Sequence, residues 1–214
     1  MMSDLGMVRF TIRLLGRSMR WVAPAILWAA WVGVVLANPG PTGSNAVATF
    51  PVQAIVLCWL AVTIGNIDDD GHRELCTATV GSPSRLLLVR TAAAGALAVM
   101  ASALAALALI EFSVPRSLSP GAGAATFALQ LAGCVAGVGI GSAVHRPTIR
   151  HVGVTLIVAL AALLVFLTPP PVTHLLREVD GGSTGAAYLL LGIASLVALA
   201  LVGSASMLTR RFAR

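Results

Sequence analysis

Six long apolar runs, separated by short polar segments, constrain this chain more than any other feature. They are Trp21 to Ala37, Phe50 to Asn66, Thr91 to Phe112, Gly123 to Val144, Val152 to Thr168, and Ala186 to Met207. A helix crosses a hydrocarbon core about 30 Å thick with roughly 20 apolar residues. Because 57% of the 214 residues are hydrophobic and only 10% are charged, one water-exposed globule could not bury this surface. We therefore expect an all-α polytopic membrane protein with six transmembrane helices.

The placement of arginine predicts the orientation. All 14 basic residues are arginine, and with six crossings twelve fall on one side and two, Arg116 and Arg177, on the other. Cytoplasmic loops retain positive charge during insertion, so both termini are expected in the cytoplasm. The clusters lie between apolar runs rather than along one polar face, which does not favour a nucleic-acid partner. Exclusive use of arginine, with abundant Ala and Gly, suggests a GC-rich bacterial genome and hence the bacterial plasma (inner) membrane.

Residues 1–20 predict an amphipathic helix lying in the membrane interface. Its apolar stripe recurs at spacings of three and four, at Leu5, Val8, Ile12, Leu15 and Met19. The neighbouring face carries Arg9, Arg13, Arg17 and Arg20. Guanidinium groups in such a helix lie near anionic lipid head groups, so membrane lipids are expected partners.

Small residues repeat every fourth position in two of the runs. They are Gly133, Gly137 and Gly141 in the fourth run, and Ala94, Ala98, Ser102 and Ala106 in the third. Such residues allow close approach of helices in lipid, so we expect helix packing at these positions. Packing within one subunit, a dimer interface and a substrate path are all compatible with this pattern. Pro51 is expected in the first turn of the second span, where a missing N–H costs little.

The chain shows no catalytic machinery of its own. Charge at mid-membrane usually marks ion or proton pathways, but the charged residues lie outside the runs or at their ends. A phosphate-binding P-loop needs lysine, and there is none. We predict no catalytic residue, cofactor or metal, and we expect the most polar groups near the runs to bond to neighbouring helices: Gln53, Thr63, Asn66 and Gln130. Cys58, Cys76 and Cys134 are expected to be buried free thiols.

The segment between the second and third runs, residues 67–90, is the most informative polar stretch. It opens with acidic residues, has helical character from about His72 to Val80, breaks at Gly81 to Pro83, and re-enters the membrane behind Arg85 and Arg90. It is interpreted as a rigid cytoplasmic protrusion or as a solvated loop.

Two other functions compete for the same residues. The run Asp68 to Arg73 resembles the start of the motif by which CDP-alcohol phosphatidyltransferases hold divalent metal, but the later spaced aspartates of that motif do not follow. A membrane assembly or scaffold protein without transport is the other alternative.

The layout resembles the permease subunits of the second type of ATP-binding cassette (ABC) exporters. Asp68 to Glu74 are similar to the opening of that family's coupling helix, and Ser82-Pro83-Ser84-Arg85 to its close. The family also has an amphipathic amino-terminal helix, six spans and a basic carboxyl end, here Met207 to Arg214. In that family, the region of Thr168 to Gly185 often holds short re-entrant helices; a solvated loop is equally compatible.

The resemblance implies a transport subunit without its own ATPase site. It implies a single transmembrane domain: interfacial helix 1–20, spans one and two in 21–66, coupling segment 67–90, spans three to six in 91–207, and basic tail 208–214. The implied partners are two copies of a P-loop ATPase and a second six-span permease subunit, identical or homologous. The implied ATPase contacts are Asp70, Arg73, Glu74 and Arg85. The sequence does not identify the substrate.

Overall fold

The computed structural model describes residues 4–38, 40–67, 75–79, 81–112, 120–144 and 152–212. These residues form helices and contain no strand. In chain order the helices are α1 (Asp4–Ser18), α2 (Val22–Ala37), α3 (Thr42–Gly65), α4 (Pro83–Phe112), α5 (Pro120–Ala143), α6 (Val152–Leu167), α7 (Pro170–Asp180) and α8 (Thr184–Phe212). Residues 75–79, between α3 and α4, are also helical.

Four helices, α3, α4, α5 and α8, are long and apolar enough to cross a membrane. The number rises to six if each of two bent helix pairs forms one span. The first pair, α1 and α2, is bent by 81°, and the second, α6 and α7, by 67°. Several apolar helices of this length are what a membrane-embedded protein requires.

The contact between α3 and α5 forms the centre of the fold. A side chain built on Gly133 would place its Cβ 2.8 Å from the carbonyl oxygen of Phe50, and one on Gly141 would lie 2.5 Å from that of Cys58. At Gly137 a Cβ would overlap the carbonyl oxygen of Ala54. The three predicted packing glycines therefore face α3, whose backbone occupies the space that side chains would need.

A second face of α5 contacts α8 in the same way. A Cβ on Gly139 would lie 2.6 Å from Cα of Ala198, which is closer than real side chains approach. Glycines on two faces of α5 therefore allow close contact with two helices, α3 and α8. Of the four long helices, α5 is the most enclosed, since 72% of the residues in its most apolar stretch are buried. In the corresponding stretch of α8, only 22% of the residues are buried.

Two helices begin earlier than the hydrophobic runs predict. Helix α3 begins at Thr42, so Pro51 lies inside the helix and not in its first turn, where it was expected. Two of the polar residues ahead of Phe50, Thr42 and Thr49, are accommodated because they turn toward protein and are buried. Helix α4 begins at Pro83 and not at Thr91, as Pro suits the first helical position.

The sequence was compatible with either a short helix or a loop from Thr168 to Gly185. In the structure this segment contains the helix α7. Its buried side is formed by Val172, Leu175 and Val179, spaced for one helical face. At its end, the Ser44 hydroxyl donates a hydrogen bond of 2.5 Å to the carboxylate of Asp180. A carboxylate beside the first turn of α3 is favoured by the helix dipole, so this bond fastens α7 to α3.

Replacing Gly137 with alanine should destabilise the protein, because the new methyl group meets the backbone of α3 and not a flexible side chain. Overpacking of this kind costs about 1–3 kcal/mol. Gly192→Ala in α8, where nothing lies within 4 Å, is the matched control and should be neutral or slightly stabilising. Thermal unfolding of the two purified variants in detergent measures the difference, and equal midpoints would contradict the described packing.

Candidate partner-contact surface

One end of the protein gathers α1, the helical residues 75–79, the end of α3 and the start of α4. We call it the arginine-rich face, because these elements and the turn just after α1 contain six arginines: Arg9, Arg13, Arg17, Arg20, Arg85 and Arg90. Within the described residues, it is also where the chain between α3 and α4 packs on the rest of the protein. The predicted partner contacts belong to this part of the sequence.

An ion pair joins the beginning of α1 to the beginning of α4. The Arg85 guanidinium contacts Oδ1 of Asp4 through two nitrogens, at 2.7 Å for the terminal nitrogen and 3.0 Å for Nε. Both side chains are partly exposed, at 38% and 62%, so the pair contributes about 1 kcal/mol at most. The main effect of the ion pair is to fix the position of α1 against α4.

A small apolar cluster fastens the helical residues 75–79 to the same two helices. Cys76 is buried with Met7 of α1 and with Leu86 and Val89 of α4. The opposite side of this stretch is open: Leu75 is 68% exposed, and Ala78 and Thr79 are exposed as well. Gly81 then takes a left-handed conformation, with φ of 90°, and permits the sharp turn into α4.

Two arginines hold the carboxyl end of α3. Arg20, which follows α1, donates a hydrogen bond of 2.9 Å to the carbonyl oxygen of Asn66. Arg90 of α4 donates one of 3.0 Å to the carbonyl oxygen of Gly65. The last carbonyls of a helix lack partners within the helix and carry partial negative charge, so cations are favoured there. Arg90 is only 5% exposed, which makes it an interior charge and not the loop residue that the sequence suggested.

Of the four predicted contact residues, the structure describes only one. Asp70, Arg73 and Glu74 lie outside the described residues, so their mutual arrangement stays a prediction. Arg85 is described, and it is already engaged with Asp4. The described residues also show that Arg20 and Arg90 hold the end of α3 beneath this surface, a role that sequence reasoning did not assign to them.

Helix α1 forms, and it has a protein-facing side that the sequence did not predict, since the apolar stripe was expected to face lipid. The buried residues are Met7, Thr11 and Leu15, whereas Leu5 is 64% and Met19 is 69% exposed. Helix α4 and residues 75–79 pack against the side of α1 that contains Met7, and of the predicted stripe Leu15 is buried by protein. Arg9, Arg13, Arg17 and Arg20 are all exposed, and the described part of the chain gives Arg9, Arg13 and Arg17 no acidic partner.

Polar side chains in the interior bridge helices. Gln53 accepts a hydrogen bond of 2.6 Å from the Trp28 indole and donates one of 3.2 Å to the carbonyl oxygen of Ala101, which joins α2, α3 and α4. Gln130 donates one of 2.9 Å from α5 to Ala46 of α3. The prediction of interhelical bonding is confirmed for these two. It is wrong for Asn66, whose side-chain amide bonds Val62 of its own helix.

The ranges of the chain that are described contain no group of three His, Cys, Asp or Glu side chains able to hold a metal ion. Asp68, Asp69 and Asp70, on which the phosphatidyltransferase-like alternative depends, lie outside those ranges. Cys58, Cys76 and Cys134 are buried and take part in no disulfide.

Comparison with known proteins finds no matching family model, no matching curated protein and no matching solved structure. Function must therefore be argued from the residues and contacts of this chain.

Replacing Arg90 with glutamine should destabilise the protein more than the same change at Arg9. The first substitution removes a charged donor and leaves the Gly65 carbonyl without this partner in a buried position, at a cost of about 1.5–3 kcal/mol. Arg9 is exposed, so its substitution should stay within about 0.5 kcal/mol. Thermal unfolding in detergent compares them; similar midpoints would show that the end of α3 does not depend on Arg90.

Proposed function

We propose that this chain is the membrane permease subunit of an ATP-driven exporter, forming half of a dimeric translocation pore and coupled to separate ATPase subunits. The sequence resemblance to ABC exporter permeases suggests this class. The observation that carries the proposal is the packing of the helical residues 75–79 against both α1 and α4 through Cys76, with Leu75, Ala78 and Thr79 left exposed.

A six-span topology is part of the proposal. Helices α2 and α6 have 16 residues each, which gives a length of about 24 Å at 1.5 Å per residue. This is somewhat short of a 30 Å hydrocarbon core, but local thinning or flanking residues offset such a mismatch at modest cost. If α2 crosses, the 81° bend places α1 nearly parallel to the membrane plane, as an interfacial helix requires.

The exposed side of residues 75–79 suits a docking surface. Leu75 presents an apolar side chain to solvent at the arginine-rich face, where nothing in the described chain covers it. A partner pocket that received Leu75 would bury it, while Asp70, Arg73 and Glu74 would form charge pairs around it. These contacts are the proposed attachment of the ATPase.

A force applied at this attachment would reach the pore helices by a short route. Residues 75–79 contact α1 and α4 through the Cys76 cluster, and Asp4 and Arg85 join these two helices. Arg20 and Arg90 then connect both neighbours to the end of α3. Movement of the attachment would thus displace α1, α3 and α4 together, which is the rigid-body motion that alternating access requires.

Reversing the charges at Arg73 and Glu74 should uncouple the permease from its ATPase. In R73E and E74R single variants, the partner ATPase should lose co-purification and stimulation by at least about tenfold, because truncating or opposing a docked charge commonly costs 2 kcal/mol or more. R177E, on an exposed position of α7, is the control and should leave both unchanged.

Two outcomes would contradict the proposal. If the tagged chain from native membranes brings down no P-loop ATPase, the coupled-pump function is wrong and a scaffold role is favoured. If R73E and E74R leave ATPase stimulation intact, the docking surface is wrong.

Thiol labelling tests the orientation. Cysteines introduced at Thr79 and at Arg177, both exposed, should differ in access to a membrane-impermeant maleimide. In intact cells T79C should be protected until the membrane is permeabilised, and R177C should react at once, because the positive-inside rule places the arginine-rich face in the cytoplasm. The unmodified chain is the background, since its three cysteines are buried. Labelling of T79C in intact cells would reverse the orientation.

A further inference from the structure

An apolar groove of about 340 Å³ runs between α2, α3 and α4. Trp21 and Trp28 of the α2 side form one wall, Leu57 of α3 lies between the walls, and Met100 and Ala101 of α4 belong to the other wall. The Trp28 indole N–H is bonded to Gln53, so this side chain offers the groove no unpaired polar group. The groove is therefore shaped for a hydrocarbon chain and gives a polar solute nothing to bind.

One mouth of the groove lies at the arginine-rich face. Trp21 begins the wall at the bend between α1 and α2, and its indole N–H approaches the carbonyl oxygen of Gly16 at 3.4 Å, which holds the ring against the end of α1. Arg20, next to it in sequence, donates a hydrogen bond to Asn66, and the residue as a whole is exposed. Arg17, in the last turn of α1, is exposed too.

This mouth combines three features of a phospholipid site. Tryptophan prefers the level of the lipid head groups, where one end of the ring is apolar and the other is wet. A guanidinium binds phosphate oxygens with several donors, and Arg20 uses one nitrogen on Asn66 and keeps others available. Charge complementarity thus selects an anionic head group at the same end where the apolar groove begins.

We propose that the groove is a binding site for one anionic phospholipid, with an acyl chain along Trp28, Leu57 and Met100 and the phosphate at Arg17 and Arg20. The site is independent of the proposed transport function, since it needs neither an ATPase nor a second subunit. Arg9 and Arg13, farther from the bend along α1, are not part of the site.

Tryptophan fluorescence gives a direct test, because two of the four tryptophans line the groove. A W31F/W59F variant keeps Trp21 and Trp28, and a W21F/W28F variant keeps the other two as the reference. Each is placed in phosphatidylcholine nanodiscs that contain increasing amounts of phosphatidylglycerol with brominated acyl chains, or of brominated phosphatidylcholine. We expect the groove pair to be half-quenched at a several-fold lower mole fraction of the anionic lipid, and the reference pair to show no preference.

Substitutions in the W31F/W59F background locate the head group and the chain. R17Q should lower the preference for brominated phosphatidylglycerol about fivefold, the contribution of one arginine to anionic lipid binding. R9Q is the matched control on α1 and should leave it unchanged. A101F fills the groove and should abolish the preference without lowering the thermal midpoint below that of the parent.

Three results would overturn the site. Equal quenching of the groove pair by both lipids would make the groove an ordinary lipid-facing surface. Loss of preference in R9Q as strongly as in R17Q would indicate a general surface potential. Protection of the groove pair from both lipids, with disulfide crosslinking of M100C between two copies, would assign the groove to a second copy of the chain.

Discussion

The fold depends on how closely α5 approaches α3. In lipid, apolar side chains gain little by associating with each other, so helices are held by close van der Waals contact and by interhelical hydrogen bonds. Gly133, Gly137 and Gly141 provide the contact, because α3 backbone atoms occupy the positions where their side chains would be. The Gln130 bond to Ala46 adds a polar link along the same seam. The other helices are arranged around this pair, with Gly139 admitting α8 on a second side.

The arginine-rich face is held by different physics. Among the described residues, its contacts include charge-assisted bonds to the end of α3, the Asp4–Arg85 ion pair and a small apolar cluster, and several of them are partly exposed. Of these contacts, the exposed Asp4–Arg85 ion pair is individually weak, and partly exposed contacts open at lower free energy than the buried backbone contact between α3 and α5. A chain built this way has a stiff centre and a more readily rearranged end. A subunit that is driven by a partner bound at one face needs a rigid centre and a movable end. This arrangement therefore supports the proposed function, whatever the substrate is.

The sequence predicted the features that depend on the spacing of apolar and small residues. It missed the features that depend on whether a polar side chain faces protein or solvent. The packing glycines could be read from their spacing, because a four-residue repeat returns to one helix face. The start of α3 could not, since Thr42 and Thr49 count as polar until a neighbouring helix covers them. The start of α4 could have been predicted from the sequence, because no helix-breaking Gly-Pro pair lies between Pro83 and Phe112. Only the charges of Arg85 and Arg90 suggested a loop there. Of the predicted ATPase contacts, only Arg85 lies in the described chain, so that surface remains a prediction.

The two sharp turns at the arginine-rich face bear on how a force could act there. Met19, between α1 and α2, takes φ of 56°, a conformation unfavourable for a residue with a side chain, and Gly81, before α4, takes φ of 90°. Strain at Met19 persists only because the surroundings determine it, and the Arg20 bond to Asn66 is the adjacent constraint. The Asp4–Arg85 ion pair and the Cys76 cluster also hold α1, so a rotation of α1 about Met19 would have to open these contacts together with the Arg20 bond, while the α3–α5 contact could stay intact. The proposed lipid phosphate would bind the Arg20 nitrogens that the Asn66 bond leaves available, so lipid binding would favour the arrangement in which that bond holds α1, and the two should be thermodynamically linked.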